Sequence, residues 1–143
     1  PAVADSDVVR ALELAALECG VADHTFAGVV HSKDSLFARE FGHGPRRELN
    51  RDYMRELSDI GVLATEMETA HLLVLSHVHT RSIAPLSLSP APRDRIQSGA
   101  VLAVIGDDRP FAGHELVAAT EEEAVQVALV AAVELHRHSG AHE

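Results

Sequence analysis

The run at residues 100–105, AVLAVI, constrains the fold more than any other feature: six apolar residues follow one another without a polar interruption. A strand with one wet face alternates polar and apolar residues, whereas a strand buried on both faces does not. Strands of the second kind belong to largely parallel sheets covered by helices. Two further segments fit the same plan, TFAGVVH at residues 25–31 and VLAT at residues 62–65.

Helical patterns separate these runs. Asp5, Ser6 and Asp7 are candidate N-caps, and Val8, Leu12, Ala15 and Cys19 then recur along one helical face up to a stop at Gly20. Residues 51–60 read as a short helix ended by Gly61, and residues 67–79 as another with Leu72, Leu73 and Leu75 inward. Thr120 opens the last helix, Glu123 stands at capping-box spacing from it, and Gly140 ends it. Helices alternating with short buried strands predict an α/β domain over residues 1–143 with a mostly parallel central sheet. Residues 32–50, with Gly42, Gly44 and Pro45, read as a long loop, and long loops in compact domains are usually functional or mobile. Residues 81–97, rich in Pro and Ser, read as a surface excursion, and residues 106–119 as loop.

Composition narrows the function. Twelve Lys and Arg against 22 Asp and Glu give a net charge of -10, which argues against a nucleic-acid surface. A small anion remains compatible, since a few arginines and helix N-termini hold one. Aromatics make up 3% and Trp is absent, so the core must be built from Ala, Val and Leu. The single Cys19 rules out an internal disulfide, suits a reducing compartment and fits a core position better than a nucleophile. The longest apolar stretch, at residues 124–133, is too short to span a bilayer, so no membrane is expected. Ten His residues invite a metal, but the pairs His77/His79 and His136/His138 do not share a helix face, and none is expected.

Three strand ends carry the chemistry. Glu66-Met67-Glu68 leaves the second strand, where open α/β sheets bind ligands. A carboxylate there accepts two hydrogen bonds from a vicinal diol such as a ribose, and a methionine offers an apolar surface for the sugar. The alternative is purely local: Thr65 and Glu68 have capping-box spacing. HSKDSLFAREF, residues 31–41, leaves the first strand with Lys33, Asp34, Ser35, Arg39 and Glu40 beside Leu36, Phe37 and Phe41. Rings beside hydrogen-bonding groups suit a flat heterocycle, or else a polar loop pinned by two buried rings. VIGDDRP, residues 104–110, brings Asp107 and Asp108, which suit a general acid, a hydrogen-bond acceptor or a metal site, or simply a turn.

Taken in order, HSKDSLF, GVLATEMETA and VIGDD resemble the nucleoside phosphorylase family, and within it the uridine phosphorylases. The resemblance runs over nearly the whole chain and implies an incomplete phosphorylase-like fold of three α/β/α layers. It also implies phosphorolysis: phosphate attacks the ribose anomeric carbon as the base leaves. It implies ribose binding by Met67, Glu68 and Glu66, with Glu66 the more structural of the two acids. It implies base contacts from Leu36, Phe37, Arg39, Glu40, Ile105 and Gly106, and a catalytic Asp107. Nucleoside and phosphate are the implied partners, with no cofactor beyond phosphate as co-substrate, in a cytoplasmic salvage enzyme that assembles as a homo-oligomer, often a hexamer.

Two departures bear on this. Arg39 or Glu40 stands where uridine phosphorylases carry a glutamine, and Gly42 about where they carry an arginine. Asp107 falls where purine-cleaving relatives carry an aspartate, which keeps a purine phosphorylase or a nucleosidase as the alternative. The resemblance is to the C-terminal half of such an enzyme, whose glycine-rich phosphate loop and phosphate arginines lie in the other half. The chain alone is therefore expected to be inactive or nearly so, and phosphate-dependent release of free base by the purified 143 residues would contradict that. A non-catalytic nucleoside-binding module is the rival reading. Missing strands are also expected to leave edges and apolar faces open to association.

Overall fold

Asp5 starts the first helix as the sequence suggests: its carboxylate accepts the Asp7 backbone N–H at 3.0 Å. The helix, α1, runs Ser6–Glu18. It ends in a Schellman turn, with Gly20 N–H on the Leu17 carbonyl and Val21 N–H on that of Ala16. Gly20 sits at φ 74°, a left-handed conformation that a side chain would strain. The computed structural model describes residues 2–83, 95–106 and 112–140. After a 3-10 turn at Ala22–His24 come β1 (Val30–Ser32), α2 (Leu36–Arg39), α3 (Arg47–Asp59), β2 (Ala64–Glu66), α4 (Thr69–Ile83) and α5 (His114–Gly140). Gly61, at φ 85°, closes α3 with the same turn.

β1 and β2 form a parallel pair, in register Val30↔Ala64, His31↔Thr65 and Ser32↔Glu66. Backbone bonds from Leu63 to Val29 (2.9 Å) and from Lys33 to Glu66 (2.7 Å) extend the pairing by a step each way. This is a mixed helix-and-strand fold with one βαβ unit, and both strands point their C-terminal ends the same way. The expected strand at residues 25–31 shrinks to its last part. Residues 25–29 are exposed, and Thr25 turns its hydroxyl back to the Val21 carbonyl at 2.8 Å.

The run at residues 100–105 joins no ladder among the described residues, a correction to the strongest strand expectation. Its apolar pattern secured neither a partner backbone nor full burial, since none of these six residues is buried. Val101 instead packs on the core, while Val104 is 63% exposed. That core is alanine-built: Ala11, Ala15 and Ala16 of α1 meet Val127 and Ala131 of α5. Small residues let two helices approach closely, but each removes little apolar area from water.

Other expectations shift for local reasons. The predicted loop 32–50 contains α2, and α3 begins about a turn early, at Arg47. Residues 81–83 still belong to α4, and the Pro-rich residues 84–94 lie outside the described ones. α5 starts at His114, so Thr120 is interior and donates to the Leu116 carbonyl at 2.9 Å. Glu123, freed from the expected capping box, accepts from His24 Nε2 at 3.1 Å. That hydrogen bond, with a second to Asp23, raises the His24 pKa above 6.5. Of the three leucines expected inward on α4 only Leu73 is buried; Leu72 and Leu75 are exposed. Val74 and Val78 are exposed as well, as are Val125, Leu129 and Val133 of α5. Among the described residues no helix is long and apolar enough to cross a membrane.

Candidate functional site

The parallel pairing brings Ser32 and Glu66 side by side at the sheet's C-terminal edge. The Ser32 hydroxyl donates to Glu66 Oε1. Glu66 Oε2 accepts the backbone N–H groups of Glu68 and Thr69, both at 2.5 Å, and Ser32 Oγ accepts that of Ala70 at 3.1 Å. Three donors at the start of α4 are thus satisfied by two side chains from two strands. Burial pushes the Glu66 pKa up, but the bonds from Ser32 and from the Thr69 and Glu68 amides outweigh it and hold it at about 2.

Glu66 therefore does the work that the Thr65–Glu68 spacing assigned to a capping box. The Thr65 hydroxyl is committed elsewhere: it accepts from Lys33 Nζ at 2.7 Å and donates to Glu40. The Glu68 side chain is exposed, and among the described residues its carboxylate has no hydrogen-bond partner. Met67 is exposed beside it, at 38%.

Over the same edge lies α2. Ser35 caps it, accepting the Ala38 N–H at 3.2 Å. Lys33, only 8% exposed, donates to Glu40 just past α2 as well as to Thr65 across the sheet. Burial raises the Glu40 pKa, and the Lys33 and Thr65 hydrogen bonds more than reverse it, so the net shift is downward from 4.5. From the other side the buried Asn50 of α3 donates to the Ala38 carbonyl at 2.9 Å and accepts from Arg39 at 3.3 Å. Arg39 also donates to Asp34 at 3.1 Å, a bond that lowers the Asp34 pKa, and lies 5.1 Å over the Tyr53 ring. His31 meets the same ring edge-on at 5.5 Å, and its Nε2 is buried without a partner among the described residues.

The structure thus joins two of the three predicted strand ends. Arg39 and Glu40 are there, but their heads are engaged within the protein. Leu36 is half-buried and Phe37 is 66% exposed. The rings are not the buried pins of the alternative reading, since Phe41 is 40% exposed. Ile105 and Gly106 lie on the segment outside the ladder, where the Ile105 carbonyl accepts the Ala112 N–H at 3.0 Å. Asp107 and Asp108 lie outside the described residues. Asn50 and Tyr53 were not foreseen, because a polar residue and a ring in a charged helix carry no local sign of the segment they will hold. Among the described residues no group of His, Cys, Asp and Glu is placed to hold a metal ion.

The chain matches no family model, no curated protein and no solved structure.

Proposed function

We propose that this chain carries the sugar- and base-holding part of a nucleoside phosphorylase-like enzyme of uridine type, with three α/β/α layers in its intact form. The observation that supports this best is the division of labour between the two acids. Glu66 satisfies the helix start, so Glu68, one residue past Met67, keeps a carboxylate uncommitted among the described residues at the C-terminal edge of a parallel sheet. In this reading Glu68 accepts the two ribose hydroxyls and Met67 lies against the sugar. Phosphate oxygen bonds to the anomeric carbon as the bond to the base nitrogen breaks, and the protein contributes by positioning and by stabilising charge. Leu36 and Phe37 flank the base.

Nitrogen–proton NMR titration of the 143-residue chain with uridine tests this. Shifts are expected at residues 66–70, and Glu68→Gln is expected to weaken binding about tenfold, the loss of one charge-assisted hydrogen bond. Uridine binding unchanged in Glu68→Gln would refute the ribose role.

A further inference from the structure

The base-facing loop places its hydrogen-bonding groups differently from what Arg39 and Glu40 suggest. The Arg39 guanidinium is held by Asp34, Asn50 and the Tyr53 face, and the Glu40 carboxylate by Lys33 and Thr65. Redirecting either head toward a ligand breaks bonds that fix α2. A few residues on, the chain gathers rings instead. It has only four Phe and one Tyr, yet Phe37, Phe41 and His43 cluster within seven residues. Phe37 is central, edge-to-face with Phe41 at 5.9 Å and with His43 at 6.3 Å. The His43 N–H donates to the Phe37 carbonyl at 3.0 Å, which sets the histidine beside that ring. All three rings are exposed, and the His43 ring nitrogens hold no hydrogen bond among the described residues.

We infer that His43, beside the exposed face of Phe37, reads the edge of the nucleobase, while Arg39 and Glu40 position the loop without touching it. The inference rests on the nucleoside reading above and changes which residue sets base preference. A base stacked on an exposed ring removes two apolar faces from water, and such stacking tolerates any base. Discrimination then needs a hydrogen-bonding group at the rim. In either neutral tautomer an imidazole offers one donor and one acceptor, so it can donate to a carbonyl or accept from the imino N–H of a uracil-type ring. Two classes of cover suit exposed rings, a planar ligand or another protein surface. The hydrogen-bonding histidine at the rim favours the ligand.

The test is NMR titration of the full chain with uridine and, separately, with ribose. His43→Ala is expected to weaken uridine binding about tenfold and to leave ribose binding unchanged, while Glu68→Gln weakens both. His43 is an exposed loop residue, so its replacement leaves the fold intact, which the amide spectrum checks directly. If His43→Ala binds uridine as the wild type does while Glu68→Gln has lost it, the nucleoside reading stands and this inference falls. A parallel loss of uridine and ribose in His43→Ala overturns it as well, because the effect is then not on the base. If the wild type binds neither ligand, the nucleoside reading itself fails. If Phe37→Ala changes the sedimentation of the chain but not its uridine affinity, the rings cover a protein partner and the inference is wrong.

Discussion

Glu40→Ala is expected to cost about 3 kcal/mol of stability at pH 7, the low end of the range for breaking a buried ion pair. The reason is what remains behind. The Lys33 side chain is 5% exposed, and without Glu40 its ammonium keeps, among the described residues, only the Thr65 hydroxyl. The reverse change is milder. Glu40 is 27% exposed, so in Lys33→Met its carboxylate takes up water, and about 1–2 kcal/mol is expected. Replacing both, Lys33→Met with Glu40→Leu, removes the uncompensated charge and is expected to stay within about 1 kcal/mol of wild type. Urea unfolding followed by far-UV circular dichroism reads all three, and the double-mutant cycle isolates the coupling. A Glu40→Ala loss below about 1 kcal/mol would mean that the pair behaves as a surface salt bridge. The same variants also test the loop, since Lys33 and Glu40 tie α2 to β2.

The start of α1 and the ends of α1 and α3 were legible in the sequence because their causes are local. Asp5 caps α1 and the glycines at 20 and 61 close two helices through chemistry contained in a few residues. The βαβ unit and the polar strand ends followed from alternation of pattern. What was not legible depends on residues far apart in the chain. Thr65–Glu68 spacing pointed to a capping box, but Ser32, 34 positions before Glu66, pairs with that acid and hands it the cap. Asn50 reads as one more polar residue of α3 until α2 folds back on it. AVLAVI is apolar throughout, but that alone decides neither how deeply the segment is covered nor which backbone pairs with it. The outward Leu72 and Leu75 show the same limit: periodicity selects a helix face, and the neighbouring elements decide whether anything covers it.

Glu66→Ala is expected to destabilise the protein by about 2–3 kcal/mol at pH 7, combining a lost helix cap with a lost charge-assisted bond to Ser32. Exchange protection of the Glu68 and Thr69 amides is expected to fall first, since these donate to the lost carboxylate. The charge itself is separated by Glu66→Gln, which keeps the size and one acceptor but cannot titrate. With a folded pKa of about 2 against an ordinary 4.5, the unfolded chain takes up the proton more readily than the folded one. The stability from this group is therefore complete above pH 4.5 and is lost as pH falls through about 2. Full conversion of that shift gives about 3.4 kcal/mol, and solvent screening of a half-buried carboxylate reduces it to about 1–2 kcal/mol. The gap between wild type and Glu66→Gln is thus expected to be widest at neutral pH and to close near pH 2. A gap that stays constant from pH 7 to pH 2 would show that geometry, not charge, secures the helix. If Glu66 holds the Glu68 backbone as the hydrogen bonds indicate, Glu66→Ala also weakens uridine binding without contacting the ligand. Glu66→Gln, which retains one acceptor, is then expected to recover part of that affinity at pH 7.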